Sequence, residues 1–177
     1  MRTTLLASSF LAAAALAPLA HAVDGTINFT GTILDAACTV DPGSANQTVP
    51  LGNVNKSAFV TAGDRASSAP FVITVNACNP AITRVAVRFD GPTAPGNPQL
   101  LALSAGGTPA TGVGIGIYEA VTDTLVPPGT KSVGIAAPAA GSAANLEFTA
   151  RYVSTVETAA ITAGPANGTA TFTLDYN

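Results

Sequence analysis

Residues 24–33 read DGTINFTGTI, and polar and apolar positions alternate along them with a period of two. Ile27, Phe29 and Ile33 share one phase with Gly31, while Thr26, Asn28, Thr30 and Thr32 share the other. That is the pattern of a half-buried strand rich in β-branched and aromatic residues. It stands ahead of the first cysteine, and the reading taken here is that it completes a neighbour's sheet. An ordinary first strand of the chain's own sheet is the alternative that pattern alone leaves open.

Further alternation follows. Residues 38–40 (CTV) lead into a turn at Asp41-Pro42-Gly43-Ser44. Residues 47–51 (QTVPL) read as a short strand, placed at an edge because Pro50 has no N–H to donate. Residues 52–64 read as a loop carrying the apolar pair Phe59 and Val60. Residues 71–78 (FVITVNAC) read as a strand that carries the second cysteine and stops at Asn79-Pro80. In residues 81–89, Val85, Val87 and Phe89 point inward, and Arg84 and Arg88 outward. Residues 90–98 are a Pro/Gly loop, and residues 100–103 a short strand. Residues 112–118 (GVGIGIY) put Val113, Ile115 and Ile117 on one face and glycines on the other.

Two strong strands close the pattern. Residues 145–153 hold Leu146, Phe148, Ala150 and Tyr152 in one phase. Residues 169–177 hold Ala170, Phe172, Leu174 and Tyr176 in one phase, and this last strand is expected to pair with 145–153. No amphipathic helix is legible after residue 22. Many short apolar runs between Gly/Pro turns predict an all-β sandwich.

The first 22 residues carry a different signal. Arg2 is a positive n-region, residues 5–19 are an apolar h-region, and Ala20-His21-Ala22 is a small-x-small cleavage site, so a secretory leader and a mature start at Val23 are expected. The rest has room for one domain with a proper core. It is poor in charge, with a formal net charge of -3 over the whole chain, and no basic patch offers itself to nucleic acid or an anionic membrane. A surface so sparsely charged fits packing against further copies of itself.

The two cysteines are Cys38 and Cys78. In an exported chain they form one disulfide most simply, worth ~4 kcal/mol in the chain-entropy model. The competing readings, a metal site or a reactive thiol, lack an accompanying histidine or acid cluster. The single histidine, His21, lies in the leader, so no Ser–His or Cys–His nucleophile is available. The acids are scattered singly at turns and strand ends. The glycines at 112, 114 and 116 lack the Lys/Ser partner and following helix of a phosphate loop. No cofactor, metal or catalytic residue is expected.

With both ends in view, the chain resembles the major-type pilins of chaperone–usher fimbriae, the type 1 fimbrial subunit family. The resemblance is carried by the alternating strand with its in-phase Gly31 and by Ala37-Cys38. It is carried further by Cys78 closing a strand, by Phe148-Thr149-Ala150-Arg151-Tyr152, and by the end Gly164…Phe172-Thr173-Leu174-Asp175-Tyr176-Asn177. It implies an incomplete immunoglobulin-like β-sandwich that lacks its final strand. The groove so left would be lined by Phe172, Leu174 and Tyr176, and Gly164 and Tyr176 would belong to the segment gripped by a periplasmic chaperone. The groove would later be filled by Ile27, Phe29, Gly31 and Ile33 of another subunit, by β-augmentation. The implied organisation is a leader at 1–22, a donor-strand extension at 23–37 and a pilin domain at 38–177. The implied partners are neighbouring pilin subunits, the chaperone and an outer-membrane usher, on the way through the periplasm to a cell-surface fimbrium used in adhesion. A minor pilin or tip adaptor shares these ends, and a self-contained secreted immunoglobulin-like binding module is the reading from another class.

Overall fold

Among the residues that the computed structural model describes, 25–31, 33, 37–104 and 107–177, nine strands form and every strand pairing is antiparallel. The leader expected at residues 1–22 lies outside them, as do Asp24, Thr32 and residues 34–36. The chain divides after Ile33, and the two parts are described separately.

In the larger part the strands are β1 (Thr39–Val40), β2 (Arg65–Asn76), β3 (Arg84–Asp90), β4 (Thr93–Ala94), β5 (Asn97–Leu101), β6 (Val113–Glu119), β7 (Ile135–Ala136), β8 (Ala143–Ser154) and β9 (Thr171–Tyr176). One sheet runs β1-β2-β8-β6-β5-β4 and the other β7-β3-β9. The all-β reading holds, with a one-turn helix, α1 (Pro42–Ala45), where the DPGS turn was expected.

The core lies between the sheets, and period two explains who enters it. Ile73 and Val75 from β2, Val85, Val87 and Phe89 from β3, Ile115 and Ile117 from β6, and the whole in-phase set of β8 are buried there. Phe89 of the smaller sheet meets Phe148 edge-on at 5.0 Å and Phe71 at 6.0 Å, both from the larger sheet. Such contacts add about 0.5–1.5 kcal/mol per pair beyond burial. The glycine face of β6 turns the other way, towards a second cluster of Ala94, Leu100, Tyr118 and Val153. A Cβ on Gly114 would stand 2.9 Å from the Cβ atoms of both Ala94 and Leu100, so the face is small because neighbours press on it.

The structure corrects several element readings. The last strand does not pair with residues 145–153: β8 lies between β2 and β6, whereas β9 pairs with β3 in the opposite sheet. Both strands present an alternating inward face, and alternation does not say which sheet a strand joins. Residues 47–51 form no strand. The edge of β2 beyond β1 is taken instead by side chains, Ser44 Oγ accepting from Thr74 N at 3.0 Å and Gln47 Nε2 donating to Val72 O at 3.1 Å. The strand at 71–78 begins earlier, at Arg65, through an irregularity between Ala66 and Ala69. It ends at Asn76, because Ala77 has a positive φ of 49° that turns the chain before Cys78. The loop at 90–98 contains β4, and β7 carried no pattern long enough to be read.

Candidate functional site

The smaller sheet has one closed flank and one open flank. The outer edge of β3 is sealed along its length. It is sealed by β7, by Ser132 (N to Val87 O, 2.8 Å; Oγ accepting from Val87 N, 2.9 Å) and by Gly129 N to Phe89 O at 2.7 Å. On the other flank β9 pairs with β3, and among the described residues nothing pairs with the far edge of β9.

Burial reports the same asymmetry in the side chains. Register places Val85 opposite Tyr176, Val87 opposite Leu174 and Phe89 opposite Phe172. Partners in an antiparallel pair point to the same face. Val85, Val87 and Phe89 are buried, whereas Tyr176, Leu174 and Phe172 pack on the same core and remain half-buried. The uncovered surface therefore lies beside β9. It is an apolar groove whose backbone edge is unpaired among the described residues.

Two contacts locate the opposite bank. At one end Tyr176 lies by the backbone of Cys38: burial pushes the phenol's pKa up, and the Cys38 backbone pulls it part of the way back. Cys38 is disulfide-bonded to Cys78 and precedes β1, which pairs Thr39 with Asn76. At the other end a cavity of about 550 Å³ opens between residues 52–59 and residues 161–167, with Val54, Phe59, Val113, Tyr152, Ile161 and Ala166 among its lining. Half-buried Val40, Val49, Leu51 and Val54 continue the apolar surface on this bank. Leu51 is tied down by Ser67 Oγ on its carbonyl at 2.7 Å.

Residues 161–167 form the cavity wall that leads into β9, and of these the sequence singled out Gly164 alone. They are held from two sides. Ala110 N donates to Pro165 O at 2.9 Å, Ser104 N to Asn167 O at 2.6 Å, and the Thr111 and Thr162 hydroxyls meet at 2.7 Å. From the core side, the Tyr152 hydroxyl donates to Ala166 O at 2.9 Å. Gly164 sits where the two backbones touch: a Cβ there would stand 2.6 Å from Thr108 O and 2.8 Å from Ala110 N. Its lack of a side chain is a packing requirement of this fold. The alternation around Tyr152 announced a core position, but not where its hydroxyl would go.

The N-terminal part presents the complementary feature. Ile27, Phe29 and Ile33 are 80%, 91% and 100% exposed, and nothing lies within 4 Å of the position a Cβ would take on Gly31. Of the four residues, none is in a strand.

The charged side chains gather elsewhere. Asp123 bridges Arg65 (2.9 Å) and Arg151, and both guanidiniums lie over the Tyr118 ring, at 4.4 and 5.1 Å. Arg151, first, and then Arg65 hold the Asp123 carboxyl below the usual aspartate range. Glu119 moves the other way, raised by burial and partly offset by the Val133 N–H on its carboxylate. Among the described residues no group of three or more His, Cys, Asp or Glu side chains could hold a metal ion.

The family described as Fimbrial protein matches residues 27–177. The chain belongs to it. This fimbrial protein is 40% identical over 182 residues to the type-1 fimbrial protein, A chain, of Salmonella typhi, spanning 99% of this chain and 97% of that one. It is 39% identical over 183 residues to the fimbrial subunit type 1 of Salmonella typhimurium, with the same coverage. Among solved structures it is similar to the P pilus rod subunit PapA, with a TM-score of 0.63 and 25% identity over 80% of this chain and 100% of that one. The incomplete immunoglobulin-like sandwich expected from the resemblance is the fold of this fimbrial protein.

Proposed function

We propose that this chain is a structural subunit of a chaperone–usher fimbria, polymerising by donor-strand exchange to build a surface fibre used in adhesion. The observation that carries the reading is the half-buried Phe172, Leu174 and Tyr176 beside buried register partners, on a strand whose outer edge is free. A strand laid along β9 would satisfy that edge and cover those three side chains. Ile27, Phe29, Gly31 and Ile33 are the in-phase set proposed to fill the groove, and burying the three large ones contributes about 1.5–3 kcal/mol each. The extension at 23–37 is thus the donor, and the domain at 38–177 the acceptor.

Chain direction favours a strand from another copy. Residues 34–37 span at most about 14 Å when extended, and they end at Cys38, beside Tyr176. The chain's own N-terminal stretch, laid in the groove from that point, would run parallel to β9. Every strand pairing in this fold is antiparallel, and a strand from a second subunit is free to run that way. Before polymerisation an uncovered edge of this kind is an aggregation hazard, and that is the role proposed for a periplasmic chaperone acting on Gly164, Phe172, Leu174 and Tyr176. An outer-membrane usher would receive the complex after export behind the leader at 1–22.

The test is expression with chaperone and usher of a variant lacking residues 24–33, and of Phe29→Asp. An unpaired charge in an apolar groove costs several kcal/mol. Soluble chaperone–subunit complex without surface fibres supports the proposal, and fibres of normal length and number overturn it.

A further inference from the structure

The cavity at the end of the groove is enclosed on one side by a segment that has no regular structure of its own. Residues 161–167 run from Ile161 to the approach of β9, and the bonds to residues 104–111 hold them at their outer side. Towards the core, the side-chain bond that the described residues give this segment is the one from Tyr152 to Ala166 O. Tyr152 is on β8, in phase with Phe148 and Ala150, between Ile115 and Ala66 on the neighbouring strands. Its ring is fixed by a sheet, and its hydroxyl ends on the cavity wall. The facing wall, residues 52–59, is held through the Thr158 hydroxyl on Phe59 O, from the turn that leads into Ile161.

We infer that Tyr152 is a positioning residue for strand capture: its hydroxyl is a strut that holds the 161–167 wall in place, so that the cavity stands open before an incoming strand arrives. The inference rests on the donor-strand reading. A preformed cavity spares the incoming strand the cost of ordering its receptor, and that saving falls on the rate of capture. Removing the hydroxyl keeps the ring and its packing, so the sandwich remains while its wall loosens. One hydrogen bond of ordinary worth corresponds to about a fivefold change in rate.

The experiment uses the full chain co-purified with its chaperone and a synthetic peptide of residues 25–37 as the incoming strand. Chaperone displacement is followed for the wild type, for Tyr152→Phe and for Tyr118→Phe, a buried tyrosine of the second cluster. Capture slowed about fivefold in Tyr152→Phe alone supports the strut. Equal rates in wild type and Tyr152→Phe overturn it, as does equal slowing in both tyrosine variants. Failure of the wild type to take up the peptide counts against the donor-strand reading itself. If Tyr152→Phe gives no soluble complex, hydrogen exchange on the wild type decides. Amides of 161–167 protected before peptide binding support a standing wall, and protection gained only on binding overturns it.

Discussion

Phe89 and Phe172 are register partners across β3 and β9 with their side chains on the same face, yet Phe89 is 4% exposed and Phe172 is only half-buried. Identical residues one strand apart thus report where the core stops. Phe89→Ala removes a ring packed against Phe71 and Phe148 and is expected to cost about 3–5 kcal/mol with or without a bound strand. Phe172→Ala is expected to cost well under half of that in the strand-free subunit, and to approach it once a peptide of residues 25–37 covers the groove. Denaturant unfolding of the two forms measures both numbers. Equal costs for the two residues in the strand-free form would mean that the groove is already covered.

Cys38 anchors the start of the domain to Cys78, across a separation of 40 residues. Denatured, unreduced protein is expected to show no reactive thiol. Reduction should lower stability by ~4 kcal/mol in the chain-entropy model. Because Cys38 and Tyr176 pack on the same core, the reduced subunit should lose peptide from the groove faster than the oxidised one.

Acid should weaken the fold through Asp64 and Asp123. Asp64 is lowered chiefly by the Thr61 and Val60 N–H groups, and Asp123 chiefly by Arg151. A carboxyl whose folded pKa lies below its unfolded one contributes stability above the unfolded value, near the model-peptide 3.8, and loses it as pH falls through the folded value. Melting temperature should therefore drop below about pH 4. Asp64→Asn with Asp123→Asn should be less stable at pH 7 and show a shallower acid limb. An acid limb as steep as the wild type's would exclude these two groups as its source.

Much of this fold was legible because period two is a local property. Val85, Val87 and Phe89 were read as inward from residues 81–89 alone, and Leu146, Phe148, Ala150 and Tyr152 as one phase of their strand. Pairing is not local. Residues 169–177 alternate as cleanly as 145–153, but nothing in either pattern says that one joins Val85 and the other Ile73. Side chains that stand in for backbone were equally hidden. Ser44 and Ser132 lie in turn-like sequence, and their hydroxyls close strand edges 30 and 45 residues away. Of the candidate site, Phe172, Leu174 and Tyr176 were read as one alternating set, and they share one face of β9; the apolar positions of 24–33 carry the same pattern, but Ile27, Phe29, Gly31 and Ile33 are in no strand. The cavity escaped because it is made by residues 52–59 and 161–167, two stretches without periodicity.

Two glycines separate folding from assembly. A Cβ on Gly164 would lie 2.6 Å from Thr108 O and 2.8 Å from Ala110 N, both backbone atoms that cannot swing aside as a side chain could. Gly164→Ala must push residues 161–167 away from 107–110, an overpacking cost of about 1–3 kcal/mol. It is expected to lower the melting temperature of the isolated subunit and to distort the cavity wall ahead of β9. A Cβ on Gly31 would meet nothing within 4 Å in the free chain. Gly31→Val is therefore expected to leave subunit yield and melting temperature unchanged and, on the proposed donor role, to act only when the strand enters the groove of another subunit. Fibre length by electron microscopy, read beside the melting temperature of each purified subunit, distinguishes the two. Normal fibres from Gly31→Val would place that glycine outside the buried face of the donor strand. An unchanged melting temperature in Gly164→Ala would mean that the 161–167 wall yields without cost, and that the close approach to Thr108 is not what requires a glycine there.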